Sequence, residues 1–463
     1  MKAAAMSVWV FINLLCFGMC GYLYLIWSQY WMYIEKQRLF TKTPSNEPKV
    51  RASVLSFIAA FPENQFSKSL TNSTIYNDSA RKKRRSAVGA VWSSGVLQSA
   101  SKLSSSQTSI NIVRKSQRSP RFPNIHKPLL EFDTDKYICD DFTSIECETR
   151  TREFKELLLK EFHRVLMGES KVFRSGLDMH NTYDVKYKSG PKNALSKHDV
   201  MCALKRIKVN TVTKRDEPFA RYDFQIPEGP LQDGTFYNTC AVVSSAGALL
   251  GSRLGDFIDS HDMVLRFNNA PTDNYTDDVG SKTTFRILNS QVVSKPEYKF
   301  LEDPLYKGVS IMIWDPANYS STLEEWYNHP DFPLFPVYKK FLEETPNADA
   351  HLLNPQVLWS LWSVLQNVSP YRLRRNPPSS GFIGLWFSLN RCRRVRVFEY
   401  VPSTRASRRC HYYAHRDDVA CTFGAWHPLA QEKALAETLR NNSDIDAFQR
   451  GFIDISGLAT IQC

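Results

Sequence analysis

Cys240–Gln291 reads CAVVSSAGALLGSRLGDFIDSHDMVLRFNNAPTDNYTDDVGSKTTFRILNSQ. An apolar, strand-like run (Ala241–Val243) breaks into Ser244, Ser245, Ala246 and Gly247. A helix-like stretch follows, and a second strand-like segment ends on Asn289. Strand, small-residue turn, then helix is how α/β proteins bring free backbone N–H groups up to a nucleotide phosphate. A plainer reading competes, because Gly247, Gly251 and Gly255 serve equally well as packing or turn glycines. Their spacing is also not the G-x-G-x-x-G of dinucleotide-binding oxidoreductases.

The flanking sequence supports the α/β reading. Strand-like runs (Cys240–Val243, Met263–Phe267, Val309–Trp314, Val395–Tyr400) alternate with helix-like ones (Val357–Gln366, Phe382–Arg391, Leu429–Leu439). Such alternation predicts a mostly parallel sheet flanked by helices, α/β and Rossmann-type. Upstream, Phe154, Leu157, Leu158, Phe162 and Val165 recur at helical spacing, so periodic structure is expected from residue 151 onward. Residues 30–150 are rich in Ser, Lys, Arg and Asn and read as a basic, largely disordered stem.

The formal net charge of +12 is local in origin. Arg81–Leu130 carries 11 Lys and Arg and no Asp or Glu, whereas from Glu131 onward 41 basic residues face 43 acidic ones. A nearly neutral body argues against nucleic-acid binding. The basic run Arg81–Arg85 is read first as a solvated linker and second as a processing site.

Residues Ala3 to Ile34 contain no charged side chain, and Val8–Trp27 has the roughly 20 residues a bilayer span needs. Trp27, Tyr30, Trp31 and Tyr33 stand where an aromatic belt would sit. No A-x-A-like cleavage site follows, so an anchor is favoured over a cleaved signal peptide. The expected division is a cytosolic tail at 1–6, a signal-anchor helix at 7–29, the stem at 30–150 and a globular body at 151–463. Lys36, Arg38 and Lys42 oppose this orientation. The sequons at Asn72, Asn77, Asn274, Asn318, Asn367 and Asn441, beside eight cysteines outside the span, outweigh them and place the body in a lumen. No C-x-x-C pair suggests zinc.

Two segments downstream have readable chemistry. Asn376-Pro377-Pro378-Ser379-Ser380-Gly381, leading into Phe382–Cys392, offers two hydroxyls and free N–H groups at a helix start. That is a seat for an anion, or simply a helix cap after a Pro-Pro turn. His427 precedes Pro428, a favoured first helical residue, so it is expected at a helix N-cap, where the positive helix end disfavours imidazolium.

Together these segments resemble the sialyltransferases of animals, specifically the β-galactoside α-2,6 type. Cys240–Gln291 resembles the large sialylmotif and Asn376–Cys392 the small one. His411-Tyr412-Tyr413-Ala414 is similar to the third motif, departing from it at Ala414. His427-Pro428-Leu429-Ala430-Gln431-Glu432 is similar to the very small motif. The likeness spans Asn193 to Cys463.

The resemblance implies a GT-A-like, single catalytic domain held in the Golgi membrane as a single-pass type II protein. It implies inverting transfer of sialic acid from CMP-sialic acid to the 6-hydroxyl of terminal β-galactose on glycoprotein glycans. It places Ser245, Asn268, Asn289, Ser379, Ser380, Gly381, Cys410, Thr422, Trp426 and Lys433 at the donor, and Gln291 and Asp331 at the acceptor. His427 becomes the general base, since removing an alcohol's proton as the new bond forms is worth about 10²–10⁴-fold. His411 becomes the candidate group at the departing CMP phosphate. Trp426 stands where relatives carry Tyr. No cofactor or metal is expected, because a CMP sugar has no diphosphate; Asp133-Thr134-Asp135 and Asp444-Ile445-Asp446 read as solvated acidic pairs. The implied disulfides are Cys240–Cys392, Cys410–Cys421 and Cys202–Cys463, with a Cys139–Cys147 loop as an addition. A homodimer is an admissible assembly. The rival readings are a sialyltransferase of another linkage and a catalytically weak Golgi glycan-binding protein, the latter suggested by Ala414 and Trp426.

Overall fold

The computed structural model describes residues 130–463 apart from 134, 169–179, 188–194, 223–224, 232–234 and 425. The expected tail, signal anchor, nearly all of the stem, Asn72, Asn77 and Arg81–Arg85 lie outside the described residues. Among the described residues, no helix is long and apolar enough to cross a membrane.

Seven strands make one sheet: Tyr237–Val243 (β1), Met263–Phe267 (β2), Phe285–Asn289 (β3), Ser310–Trp314 (β4), Ala350–Leu352 (β5), Cys392–Phe398 (β6) and Phe452–Ser456 (β7). Their order is β5-β4-β3-β2-β1-β6-β7. All pairings are parallel except β6 with β7. The sheet is therefore mostly parallel, with one antiparallel edge. The chain steps outward from β1 to β5 and then returns to β6 on the far side of β1. In such a sheet the loops diverge at this reversal and leave a crevice above the carboxyl ends of the strands.

Alternation along each strand sorts its side chains to two faces. Cys240, Val242, Met263, Leu265 and Phe267 join one core with the helices Ile145–Leu166, Gln356–Val368, Ser380–Arg391 and Leu429–Leu439. Ala241, Val243 and Val264 join another with Leu249, Ile258 and Tyr412. Cover on both faces explains why the strands are largely apolar, with Arg266 of β2 and Arg286 of β3 themselves buried.

Two local expectations are corrected. The helix after the Ser244–Gly247 turn is only the 3-10 turn Gly247–Leu249, followed by the five-residue helix Gly255–Asp259. Gly247 is a packing glycine, because a Cβ there would strike the Arg409 backbone. The body also starts before residue 151. Helix Ile145–Leu166 is capped by Ser144, whose Oγ accepts from Cys147 N at 3.2 Å. Ahead of it, Leu130 and Tyr137 are buried, and Gln449 donates to the Tyr137 carbonyl at 2.9 Å. A few anchors in polar surroundings were enough to fasten residues that composition assigned to the stem. The disulfides are Cys139–Cys147, Cys202–Cys463, Cys240–Cys392 and Cys410–Cys421.

Candidate active site

A cleft of about 230 Å³ opens over the carboxyl ends of β1, β2 and β3. Ser245, Asn268, Asn289, Ser379, Ser380, Gly381, Cys410, His411, Thr422, His427 and Lys433 all line it. It is built from three sources: strand ends, the start of one helix and a disulfide-closed loop.

The strand ends contribute two carboxamides. Asn268 sits in the left-handed region (φ 49°) at the end of β2. Its carbonyl accepts from buried Arg286 at 2.8 Å, and its Oδ1 accepts from Asn289 N at 3.0 Å. Asn289 in turn accepts from Val292 N at 3.0 Å, capping the helix Ser290–Ser294. Both partners are N–H donors, so both side-chain oxygens are committed. Among the described residues neither amide nitrogen has a partner, which leaves two donors at the cleft wall.

The helix Ser380–Arg391 contributes its first turn. Ser379 is its N-cap, with Oγ accepting from Phe382 N at 3.2 Å. Ser379 N donates to Glu432 at 2.8 Å and Ser379 Oγ donates to the same carboxylate. Ser380 Oγ accepts from Trp314 Nε1 at 2.9 Å, so its own proton is available. At Gly381 a Cβ would strike the Tyr400 ring, so only glycine lets the turn approach this closely.

The disulfide Cys410–Cys421 closes the third wall, its partners 11 residues apart in sequence. Tyr412 N donates to the Ser245 carbonyl at 3.2 Å, which ties this loop to the end of β1. Cys240–Cys392 lies in the core below the cleft, both cysteines fully buried, and so steadies the walls from beneath. Closing a loop of this size with Cys410–Cys421 stabilises by about 3 kcal/mol. Replacing both cysteines with serine is expected to lower the melting temperature and to raise the donor KM, because three residues of the closed loop, Cys410, His411 and Cys421, face the cleft. Thermal unfolding and donor titration check this; an unchanged KM would show that the loop keeps its shape unaided.

His427 is half-buried, and its Nδ1 lies 2.8 Å from the Pro377 carbonyl. A carbonyl only accepts, so Nδ1 carries the proton and Nε2 the lone pair. Burial lowers the pKa to about 4, against the opposing effect of the Pro377 bond. The helix following it is Leu429–Leu439, with Pro428 as cap. His427 thus stands one residue ahead of the expected N-cap, and desolvation is the main cause of its lowered pKa. His411, exposed at the mouth, stacks on Tyr413 at 5.2 Å. The protein crowded around it, and secondarily the charge of Arg416, hold its pKa below the ordinary value. That favours a neutral hydrogen-bond donor over a standing imidazolium. Burial also lowers Lys433 to about 8, with Glu432 and Glu399 pulling the other way.

Trp426, Gln291 and Asp331 do not line this cleft. They gather on a second wall beyond His427. Trp426, 40% exposed, meets the His427 ring at 4.6 Å and Tyr183 at 6.2 Å, both edge-on. Tyr183 donates to Asp331 at 3.1 Å. Gln291 accepts from Lys295 at 3.4 Å, and that ammonium sits over Phe332, beside Asp331.

Sequence reasoning missed Glu432 as a structural keystone, along with Tyr400, Glu399, Trp314 and Asp315. Only Glu432 gave a signal, through its place five residues after His427. Among the described residues no three His, Cys, Asp or Glu side chains come together to hold a metal. Asp133 and Asp444 are ion-paired rather than merely solvated, with Arg408 and with Lys155 and Arg440. Asn274 and Asn318 are exposed. Asn441 is exposed but donates to Ser456, and Asn367 is half-buried and accepts from Tyr187.

Residues 193–443 match the sequence model of glycosyltransferase family 29 (sialyltransferase). The chain is 42% identical over 288 residues to beta-galactoside alpha-2,6-sialyltransferase 2 of Bos taurus, covering 61% of this chain and 58% of that protein. It is 41% identical over 288 residues to the Homo sapiens protein of the same name, covering 61% and 54%. The matched stretch thus spans a little over half the length of these curated relatives. A crystal structure of a mammalian sialyltransferase in complex with Gal-beta-1-3GalNAc-ortho-nitrophenol aligns with TM-score 0.32 at 22% identity, covering 54% of this chain and 78% of that one.

Proposed function

Because this chain belongs to glycosyltransferase family 29, the sialyltransferases, we propose that it transfers sialic acid from CMP-sialic acid to the 6-hydroxyl of terminal β-galactose in Galβ1,4GlcNAc on glycoprotein glycans. The observation that carries the proposal is His427: a neutral imidazole whose free Nε2 belongs to a ring shared between the donor-rich cleft and the aromatic wall.

The cleft takes the donor. Asn268 and Asn289 through their amides and Ser380 through its hydroxyl present hydrogen-bond donors toward an anionic substrate, Ser379 caps the helix that presents Ser380, and Lys433 supplies a positive charge. The wall of Tyr183, Trp426, Gln291 and Asp331 takes the galactoside. His427 Nε2 accepts the proton of the galactose 6-hydroxyl as that oxygen bonds to the anomeric carbon. The bond from that carbon to the CMP phosphate oxygen breaks on the opposite face, which inverts the centre. The anomeric carbon is tertiary, so an oxocarbenium-like transition state is expected, by analogy with glycoside hydrolysis. A hydrogen bond from neutral His411 meets the charge growing on the leaving phosphate. No cofactor enters this scheme. A GT-A-like catalytic domain in the Golgi lumen, carried by the 7–29 anchor and a stem, completes the proposal.

Incubating the purified protein with labelled CMP-sialic acid and a defined acceptor panel, then digesting with linkage-specific sialidases, tests it. An α-2,6 product on Galβ1,4GlcNAc is expected; no transfer, or α-2,3 product only, would refute it. Lys433 adds a pH signature. Its protonated fraction falls as pH rises through about 8. The donor KM therefore rises above that pH while kcat holds, and Lys433→Met removes the dependence.

A further inference from the structure

At the end of β4 two consecutive residues point to opposite faces. Trp314 turns toward the cleft: its Nε1 donates to Ser380 Oγ at 2.9 Å, and its ring lies 6.1 Å from that of His427. Asp315 turns the other way. It is fully buried, and its Oδ2 accepts from Trp326 Nε1 at 2.8 Å and from Asp331 N at 3.0 Å. The Ser290 hydroxyl approaches the carboxylate without closing a hydrogen bond to Oδ1, which has no partner among the described residues. Burying a carboxylate with one oxygen unpaired is costly. Such a cost fits a group whose task is to hold something in place. What Asp315 holds is the loop bearing Asp331, and through Asp331 the hydroxyl of Tyr183.

We infer that Trp314 and Asp315 form a two-sided positioning element: Trp314 fixes Ser380 on the donor side, Asp315 fixes Asp331 and Tyr183 on the acceptor side, and their adjacency at the end of β4 sets the spacing between the two. Neither residue touches a reacting atom in this scheme. The inference rests on the proposed assignment of the Asp331 wall to the acceptor. β4 is hydrogen-bonded along its length to β3, with Asn289 opposite Trp314, so the element is anchored in the sheet and also meets the donor-lining Asn289.

Steady-state kinetics on the full chain, varying CMP-sialic acid and a Galβ1,4GlcNAc acceptor separately, test it. Trp314→Phe deletes the indole N–H together with part of the buried ring; the donor KM is expected to rise about fivefold or more, as one lost hydrogen bond allows, with the acceptor KM within about twofold. Asp315→Ala is expected to do the reverse, raising the acceptor KM about tenfold or more, because two bonds are lost. Asp315→Asn keeps a carbonyl oxygen for Trp326 and Asp331 and should restore most of the acceptor affinity. Should Asp315→Ala fail to fold, Trp326→Phe removes one of the same bonds and should shift the acceptor KM alone. Both KM values moving together, or melting temperature falling with neither KM changed, overturns the inference. Calorimetric binding of an inert 3-fluoro CMP-sialic acid reads the donor arm without turnover: Trp314→Phe weakens it about fivefold and Asp315→Ala leaves it within about twofold. Wild type that binds in this pattern yet transfers nothing sinks the proposed function alone; the opposite binding pattern sinks the positioning element.

Discussion

Replacing His427 with alanine is expected to lower kcat by about 10²–10⁴-fold, while an inert donor analogue still binds. The effect follows from the ring's two nitrogens having separate partners. Nδ1 is anchored to the Pro377 carbonyl, which sets the tautomer and directs the lone pair to Nε2. Burial then holds the pKa near 4. The base works only when neutral, so the rate should be flat through pH 5–8 and decline on the acid side as pH falls toward about 4. An ordinary exposed histidine would already fail near 6.5. Alanine removes the proton acceptor but none of Ser245, Asn268 or Asn289, so donor binding survives. Turnover by the alanine variant close to wild type, or an acid limb centred near 6.5, would remove His427 from the role of base.

Glu432→Ala should be the most destructive change away from the base. Its carboxylate is wholly buried and accepts from Ser379 N at 2.8 Å, from Ser379 Oγ and from Tyr400 OH at 2.8 Å. Tyr400 in turn packs against Gly381. Deleting the carboxylate strands three buried donors at about 1–3 kcal/mol each, and loosens the turn that presents Ser379 and Ser380. We expect the melting temperature to fall by about 5–10 °C and the donor KM to rise more than tenfold. Glu432→Gln should be mild, because its carbonyl can serve Ser379 N while its amide donates to reversed Ser379 and Tyr400 hydroxyls. Thermal unfolding with donor titration decides the matter: an alanine variant with unchanged donor affinity would show that the turn holds itself.

The elements legible in the sequence were those set by local rules. β2 was read to its residues and β4 to within one, because strands covered on both faces are predominantly apolar. The start of the Ser380 helix was legible from Pro-Pro-Ser-Ser-Gly, since a cap is a local event. The stem boundary was misjudged because composition averages over windows, whereas Leu130, Tyr137 and Cys139 fasten their segment individually. In the sequence Trp314 is only the end of the strand-like run Val309–Trp314, and nothing marks Asp315. Their partners lie 66 and 16 residues away, and no spacing rule joins residues that only the folded chain brings together. His427 is expected at a helix N-cap, whereas it stands one residue ahead of Pro428, and burial, which no local spacing reveals, is the main cause of its lowered pKa.

The middle of the sheet has a consequence for how the molecule comes to be made. β1 receives β2 within a short stretch of chain, but its other neighbour, β6, comes so much later that Cys240 and Cys392 are 152 residues apart. Until β6 arrives, the half-sheet from β5 to β1 has a bare flank of unpaired amides and carbonyls along β1. Such a flank is a template for unwanted pairing between nascent copies. Maturation of this protein should therefore be slow and crowding-sensitive, dependent on chaperones that shield that flank until the second half of the chain docks.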